Sequence, residues 1–259
     1  GDLVGRVRAE RARKVFSDGV AVGGDSTPDH SMLRRECAML SACPSAESRA
    51  DREFRMLDLG FGLGWTALVE AARRFEQASA HPLRWSALCW ARTPDELLDE
   101  SLDAGKLTAL RDELLVSRCV RRSSVEVGLK LGDCRNHIAT ADGGFDVIVI
   151  ESARIEDAVE FCTVEFCRHL ARLLKRDGVL VSPLSSNLFR AALMVNGLVT
   201  GRTASSELRR GGTVAAHSPE YLPRPLLPRD AKQLVNPLSV RPYHDPELRA
   251  SRKQILVSR

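Results

Sequence analysis

The sequence lacks several features that define common classes of protein. It has no apolar run close to the roughly 20 residues that a membrane-spanning helix requires. It has no C-x-x-C pair of the kind that binds zinc or undergoes redox exchange. Its seven cysteines are an odd number and are scattered, and we recognise no secretory leader. We therefore expect reduced thiols, no metal site, no membrane association and a cytoplasmic location.

What the chain does contain is enough apolar sequence for a full core, together with an uneven distribution of basic charge. Of its 259 residues 44% are hydrophobic, and the formal net charge is +4. Arginines dominate the basic residues and gather near the start of the sequence and in its last third. Such a distribution is typical of solvated surface, and it also fits an anionic substrate such as RNA.

The most informative segment is a short apolar strand that runs into three alternating glycines. Phe54–Leu59 predicts the strand, and Gly60, Gly62 and Gly64 follow it before a helical pattern begins. Glycines permit a tight turn and close approach to a ligand, and the helix start offers free N–H groups. The spacing lacks the last glycine of the dinucleotide fingerprint. With Asp58 near the strand end, it is more typical of a site for S-adenosylmethionine (SAM) than for NAD, although a glycine-rich turn without a ligand remains the alternative.

Strand and helix patterns alternate along the centre of the chain. Further strands are predicted at Leu83–Trp90, Val125–Leu131, Phe145–Ile150 and Val179–Ser182. Helices are predicted at Thr66–Gln77, from Thr93 past Leu98, in a further stretch that reaches Leu115, at Ile155–Leu174 and at Asn187–Asn196. The strand at Phe145 is nearly continuous in β-branched residues, as expected of a strand buried on both faces. This order predicts an α/β fold with a doubly wound, mostly parallel sheet, which binds ligands at the carboxyl ends of its strands.

The segments on either side of this alternation have a different composition. We predict an N-terminal extension and substrate-side cap over residues 1–50, and a main domain over 51–216. Within the latter, Leu198–Thr203 and Gly211–Ala216 predict a hairpin at the sheet edge. Residues 217–259 form a Pro-rich C-terminal tail, and its seven prolines forbid long helices and central strands. We expect this tail to be irregular and to pack over the mouth of the site.

A family resemblance is carried by segments along most of the chain. They are Asp58–Gly64, Leu129–Asp133, Phe145–Glu151 with Thr163–Phe166, and the tail segments Gly212–Ala215, Arg241–Pro246 and Ser251–Lys253. Together they resemble the MnmC-type methyltransferase domain, in the stand-alone form that lacks the oxidase half. The resemblance implies a Rossmann-like, SAM-dependent methyltransferase that methylates the aminomethyl nitrogen of a modified wobble uridine in tRNA. It also suggests a separate enzyme that supplies the aminomethyl precursor.

The resemblance also implies which residues bind the cofactor. They are Asp58, Gly60, Phe61, Gly62, Gly64, Cys89, Trp90, Asp133 and Cys134. Asp58 would order the glycine loop, and Asp133 would accept a hydrogen bond from the adenine N6 amino group with Cys134 beside the ring. Trp90 either stacks on the cofactor or belongs to the core.

Cys89 departs from the family pattern. It stands where we align the acid that holds the ribose hydroxyls, and a thiol is a poor acceptor. The loss of that bond would weaken SAM binding by about 10- to 150-fold unless another group substitutes.

Glu151 is the predicted catalytic residue. It follows the fourth strand, in the place of the family's Asp-containing loop, and the segment Glu151-Ser-Ala-Arg154 departs from the family's usual sequence. A carboxylate there would orient a neutral amine, accept its hydrogen and stabilise the charge that develops on nitrogen. Arg154 would reach a phosphate or pair with Glu151. Alternatively, Glu151 only caps the next helix or pairs with Arg154.

The tail supplies the predicted RNA contacts. Tyr243 and His244 offer stacking surfaces for an unpaired base, and Arg241 lies beside them. Three other functions remain open, one of which is the methylation of an acceptor other than tRNA. A degenerate relative would bind RNA or a protein without catalysis, which Cys89 favours. An aminopropyl transferase would share the sheet, but the glycine loop and the basic charge argue against it.

Overall fold

The computed structural model describes residues 53–59, 83–89, 113–114, 116–122, 125–150, 159–203, 212–236 and 238–259, and for strand 83–89 it describes the backbone. The predicted N-terminal extension, the glycine loop and the helix at 66–77 lie outside these residues, as does most of the helical sequence predicted between residues 93 and 115.

Eight strands form one sheet at the centre of the described residues. They are β1 (Phe54–Leu59), β2 (Leu83–Cys89), β3 (Cys119–Arg122), β4 (Val125–Leu131), β5 (Phe145–Ile150), β6 (Leu174–Ser182), β7 (Val199–Arg202) and β8 (Thr213–Ala216). Their order across the sheet is β3-β4-β2-β1-β5-β6-β8-β7. Five neighbouring strands in this order are parallel: β4, β2, β1, β5 and β6. The strands β3, β8 and β7 are antiparallel to their neighbours. The predicted α/β fold with a mostly parallel sheet is confirmed.

Helices follow the strands and cover the sheet. They are α1 (Cys134–Thr140), α2 (Val164–Leu173), α3 (Asn187–Val195), α4 (Pro228–Leu234) and α5 (Arg252–Leu256), with 3-10 helices at Val159–Cys162 and Pro219–Tyr221. The main core cluster joins Leu57 and Leu59 of β1 and Ile148 of β5 to Phe166 of α2 and Phe189 of α3. Because strand side chains alternate between faces, this burial fixes which residues of β1 point away from these helices.

The predicted strands are largely confirmed where the structure describes them. β1, β4 and β5 have the predicted bounds, and the predicted hairpin is present as β7 and β8. All six residues of β5 are buried, as its continuous apolar sequence predicted. β3 was missed, because four residues with two arginines give little strand signal; it pairs antiparallel with β4, where Arg121 lies opposite and ion-pairs with Glu126.

The helix predicted over Ile155–Leu174 is interrupted in its described part. The backbone at Thr163 is extended, and its hydroxyl accepts a hydrogen bond from the Phe166 N–H, so that Thr163 caps the start of α2. Thr163 also forms a parallel β-bridge with Tyr243 of the tail. A contact between segments 80 residues apart therefore divides a stretch that local sequence predicts to be one helix.

β6 begins earlier than the predicted Val179. The sequence predicted a helix up to Leu174, but the strand already starts at Leu174, and its register shifts between the pairings with Phe145 and Val147. A Cβ on Gly178 would lie 2.9 Å from the Phe145 carbonyl oxygen, so a glycine is required where the two strands approach each other.

Candidate cofactor and substrate site

The carboxyl ends of the parallel strands meet along one edge of the sheet. Leu59, one residue before the glycine loop, pairs with Leu88 in β2 and with Ile150 in β5. The strands β2, β1 and β5 therefore end next to one another. In the sheet, β1 lies between β2, which follows it in sequence, and the later strand β5. In open α/β sheets, ligands bind where the strand order reverses in this way. The predicted loop residues Gly60, Phe61, Gly62, Gly64 and Trp90, together with Glu151 and Arg154, lie outside the described residues.

Asp58 lies one residue before the end of β1 and is fully buried. It pairs with Ala87 of β2 and Val149 of β5. It alternates with Leu57 and Leu59, so its carboxylate points to the face opposite the main core cluster. A carboxylate at such depth is stable only when it is hydrogen-bonded or paired. Its position agrees with the predicted role of ordering the loop that follows, which stays a prediction.

Cys89 is the last residue of β2, and its backbone pairs with Leu131 at the end of β4. The predicted ribose position therefore lies at the same edge as the turn that follows β4. The ribose contact itself stays a prediction, since the structure describes this strand through its backbone.

The turn after β4 is shaped by Gly132 and Asp133. Gly132 has a φ of 115°, which favours glycine, and a Cβ there would meet no atom within 4 Å. Asp133 caps the start of α1, where its Oδ1 accepts a hydrogen bond from the Arg135 N–H at 2.9 Å. The turn therefore ends a sheet strand and begins a helix at the edge where open α/β sheets bind ligands.

Arg135 holds the Asp133 carboxylate from a second direction. Its Nη2 donates to Asp133 Oδ2 at 2.8 Å, and its Nε lies 3.0 Å from Oδ2 and 3.1 Å from Oδ1. Its Nη1 donates to Asp245 Oδ2 and to the Ala250 carbonyl oxygen, each at 2.8 Å. Burial lowers the pKa of the guanidinium, but hydrogen bonds and charge attraction from Asp133 and Asp245 outweigh it, and the pKa is raised. Arg135 therefore stays charged.

Cys134 was predicted to lie beside the adenine ring. Its side chain is fully buried in the core cluster with Ile138, and burial, followed by the nearby Asp133 charge, raises the pKa of its thiol well above the usual range. The thiol is thus a core group, and any contact of this residue with a cofactor falls to its backbone.

Tyr243 differs from the prediction of an open stacking surface. Its side chain is 4% exposed, its carbonyl oxygen accepts a hydrogen bond from the Val164 N–H, and the Arg259 guanidinium lies 5.1 Å from its ring centroid. Because the ring belongs to the core, it offers no face to an unpaired base, and we correct its role to anchoring the tail.

His244, by contrast, is half exposed. Its Nδ1 lies 3.0 Å from Glu165 Oε1, and Glu165 Oε2 accepts a hydrogen bond from the Asp245 N–H at 2.7 Å. Burial raises the pKa of Glu165, but the bonds from Asp245 and His244 outweigh it and lower the pKa overall. Glu165, Asp245 and Arg135 form a connected set. The sequence analysis singled out the segments that contain Glu165 and Asp245, but it missed Arg135 and the contacts that join the three residues.

Arg241 is exposed and lines an open cleft of about 580 Å³. The other lining residues are Asn187, Leu188, Leu238, Ser239, Val240 and Arg259. Asn187 begins α3, which follows the carboxyl end of β6. The cleft therefore opens at the same edge of the sheet as the predicted site and carries two arginines.

The described part of the chain shows neither a metal-binding cluster nor a membrane-spanning helix. No group of three or more His, Cys, Asp or Glu side chains there is arranged to hold a metal ion. None of the helices described is both long and apolar enough to span a bilayer.

Comparison with solved structures places this arrangement among known folds. MnmC2 from Aquifex aeolicus superposes with a TM-score of 0.71 at 22% identity, over 87% of this chain and 73% of that one. Human methyltransferase-like protein 13, solved with S-adenosylhomocysteine (SAH), gives a lower TM-score of 0.43 at 13% identity, over 85% of this chain and 96% of that one. The likeness to MnmC2 confirms the predicted fold.

Comparison of sequences alone adds less. No protein-family model matches the chain. The uncharacterized protein MJ0670 of Methanocaldococcus jannaschii is 26% identical over 133 residues, which cover 51% of this chain and 37% of that protein. The chain thus corresponds to well under half of the length of this relative.

Proposed function

We propose that this chain is a SAM-dependent methyltransferase of the MnmC type that methylates the aminomethyl nitrogen of a modified wobble uridine in tRNA. The observation that carries the proposal is the strand order, which reverses at β1, the strand that runs directly into the Gly60-Phe-Gly-Leu-Gly64 motif. The fold likeness to MnmC2 and the sequence resemblance support the same family.

The described residues fit a bound SAM. Asp58 brings a buried carboxylate to the base of the glycine loop, and Asp133 brings an ordered, partly exposed carboxylate to the neighbouring turn. In the proposed complex, Asp133 accepts from the adenine amino group, and the glycine loop accommodates the methionine end. When bound, SAM supplies a sulfonium-activated methyl group for an in-line displacement, so the protein contributes mainly proximity and alignment.

Glu151 is the proposed catalytic residue. It follows β5, whose last residue Ile150 pairs with Leu59 beside the glycine loop. An amine attacks only as the neutral form, since an ammonium has no lone pair. A carboxylate here accepts a hydrogen bond from the amine and stabilises the positive charge that develops on nitrogen. Arg154, three residues later, is proposed to contact a phosphate of the RNA.

Binding of tRNA is assigned to the tail and the cleft beside it. Arg241 and Arg259 line the cleft at the carboxyl edge of the sheet, and His244 is half exposed nearby in sequence. Cationic side chains that surround an open cleft attract the phosphate backbone. We further propose that the protein acts in the cytoplasm, on tRNA that a separate enzyme has already aminomethylated, and that residues 1–50 cap the substrate side.

The direct test is methyl transfer from radiolabelled SAM to tRNA whose wobble uridine carries the aminomethyl group without a methyl group on its nitrogen. We expect transfer by the wild-type chain and a loss of about 10²- to 10⁴-fold in Glu151→Ala. Glu220→Ala is the matched control, because Glu220 is exposed in the 3-10 helix at Pro219–Tyr221. Full activity of Glu151→Ala contradicts the assignment of the catalytic residue.

A second function is favoured by one observation. β2 reads L-R-W-S-A-L-C and contains no carboxylate for the ribose hydroxyls. A degenerate relative that binds RNA or a protein without SAM would tolerate this change. Retained tRNA binding without measurable SAM binding selects this alternative.

A further inference from the structure

Arg135 connects two parts of the molecule that the sequence places 110 residues apart. On one side it contacts Asp133, in the turn that follows β4. On the other it contacts Asp245 and the Ala250 carbonyl oxygen, in the tail. The Arg135 side chain is 9% exposed, so these contacts are largely shielded from water.

The Asp133 carboxylate is fixed but not saturated. Three donor groups of Arg135, the backbone N–H, Nε and Nη2, occupy it. The Nε hydrogen is shared between Oδ1 and Oδ2, so three hydrogens are donated to about four acceptor sites and the carboxylate can still accept one further donor. Its side chain is 30% exposed, so a ligand at this edge can reach that site. Arg135 thereby determines the direction in which the remaining acceptor site points.

The tail side of the contact is equally ordered. Asp245 is 1% exposed; one carboxylate oxygen accepts from Arg135 Nη1, and the other accepts from the Arg249 and Ala250 N–H groups, each at 3.0 Å. The Asp245 N–H in turn donates to Glu165 of α2. The segment 243–250 is therefore docked on α1 and α2 through its buried acid.

The charges make the two sides depend on each other. One guanidinium pairs with two carboxylates, and a buried charge that loses its partner is strongly destabilised. If the tail segment leaves, Arg135 keeps its contacts with Asp133 and loses the contacts with Asp245 and Ala250 that orient its fork. The planar guanidinium donates in fixed directions, so its reorientation also moves the donors on Asp133.

We propose that Arg135 is a positioning residue that couples docking of the tail segment 243–250 to cofactor binding, by aiming the Asp133 carboxylate at the adenine amino group. The inference rests on the proposed function, because it takes SAM or SAH as the ligand. Coupling between two sites is reciprocal: a tail that strengthens cofactor binding is itself held more tightly by the cofactor.

The test uses three variants of the full chain and two ligands. Asp245→Asn removes the charge at the tail with little change in shape, and Arg135→Lys replaces the fork by a single ammonium that cannot span both acids. Glu247→Gln is the matched control, because Glu247 is exposed in the same segment and its ion pair among the described residues is with the exposed Arg249. The ligands are SAH and S-inosylhomocysteine, in which an oxygen replaces the adenine amino group.

Dissociation constants by calorimetry give the first result. We expect Asp245→Asn and Arg135→Lys to bind SAH at least about fivefold more weakly, the low end of typical coupling between sites. We also expect them to lose the preference of the wild-type chain for SAH over the inosine analogue. A general loss of structure would weaken both ligands equally and leave that preference intact, so equal weakening contradicts the proposal.

Hydrogen exchange gives the second result. SAH should slow exchange at the Arg249 and Ala250 amides in the wild-type chain and in Glu247→Gln, and not in Asp245→Asn. Unchanged exchange in the wild-type chain on SAH binding overturns the coupling and leaves the proposed function standing. If the wild-type chain binds no SAH, the proposed function fails and this inference fails with it.

Discussion

Two buried aspartates form similar ion pairs but join different parts of the molecule. Asp146 lies at the amino-terminal edge of the parallel strands, and Asp245 lies in the tail at their carboxyl-terminal edge. Asp146, near the start of β5, accepts from Lys175 Nζ in β6 at 2.7 Å and from the Arg55 N–H in β1 at 2.9 Å. Its partners belong to the two strands that flank it. Asp245 instead pairs with Arg135, which belongs to the helix that follows the predicted cofactor turn.

The first ion pair supports the sheet alone, whereas the second connects the tail to the turn that is proposed to bind the cofactor. At the amino-terminal edge, the pair joins adjacent strands, and Arg55 adds a bond from Nη1 to the Gly143 carbonyl oxygen at 2.8 Å. At the carboxyl-terminal edge, the pair joins the tail to the turn that carries Asp133. A loss at the first edge should affect stability alone, whereas a loss at the second should also affect ligand binding.

Asp146→Ala should give the largest loss of stability. The substitution removes the ion-pair partner of the Lys175 ammonium, which is 21% exposed, and leaves a cavity where the Asp146 carboxylate stood. We expect the free energy of unfolding to fall by about 3–5 kcal/mol in urea denaturation. SAH affinity of the folded fraction should stay at the wild-type value. A loss below about 1 kcal/mol would show that the pair contributes little, as for exposed pairs.

Asp245→Asn should give a smaller loss of stability than Asp146→Ala. Arg135 keeps Asp133 as a partner, and the asparagine oxygen can still accept one of the former bonds. We expect about 1–3 kcal/mol in the same assay. If this variant were the less stable of the two, the tail would be a main structural support of the domain, and the contrast between the edges would be wrong.

Part of this comparison was accessible from sequence. The continuous apolar sequence of β5 and the Gly-Asp end of β4 predicted where the strands lie and where a ligand would bind. The bond from Arg135 to Asp245 was not predictable, because neither periodicity nor capping signals relate residues 110 positions apart. The burial of Tyr243 was not predictable for a related reason. The nearby Arg241 and His244 are polar and exposed, so the local sequence predicts an exposed segment.

Acid should weaken the docking of the tail through Glu165. The folded-state pKa of Glu165 is lowered from its ordinary value of 4.5, so its contribution to stability is present above that value and is lost as the pH falls through the lowered one. We expect the protection factors for hydrogen exchange at segment 243–250 to fall below about pH 4.5, and Glu165→Gln to remove most of that dependence. An unchanged acid response in Glu165→Gln contradicts the assignment.

The smallest effect concerns the described cysteines. Burial raises the pKa of the Cys134, Cys162 and Cys167 thiols, whereas Cys119 is exposed on β3. We expect a maleimide to label Cys119 in the folded chain and to reach the other three only after denaturation. Peptide mass spectrometry reads the labelled sites. Rapid labelling of Cys134 in the folded chain would show that the turn after β4 opens readily.

The measurement that bears most directly on the proposed function is SAM binding by titration calorimetry, with Gly62→Arg as the control. An arginine side chain in the glycine loop removes the close approach that a ligand needs there. We expect the wild-type chain to bind SAM with a micromolar dissociation constant, about −8 kcal/mol, and the variant to show no binding. No binding by the wild-type chain up to about 1 mM SAM, about −4 kcal/mol, would contradict the methyltransferase assignment.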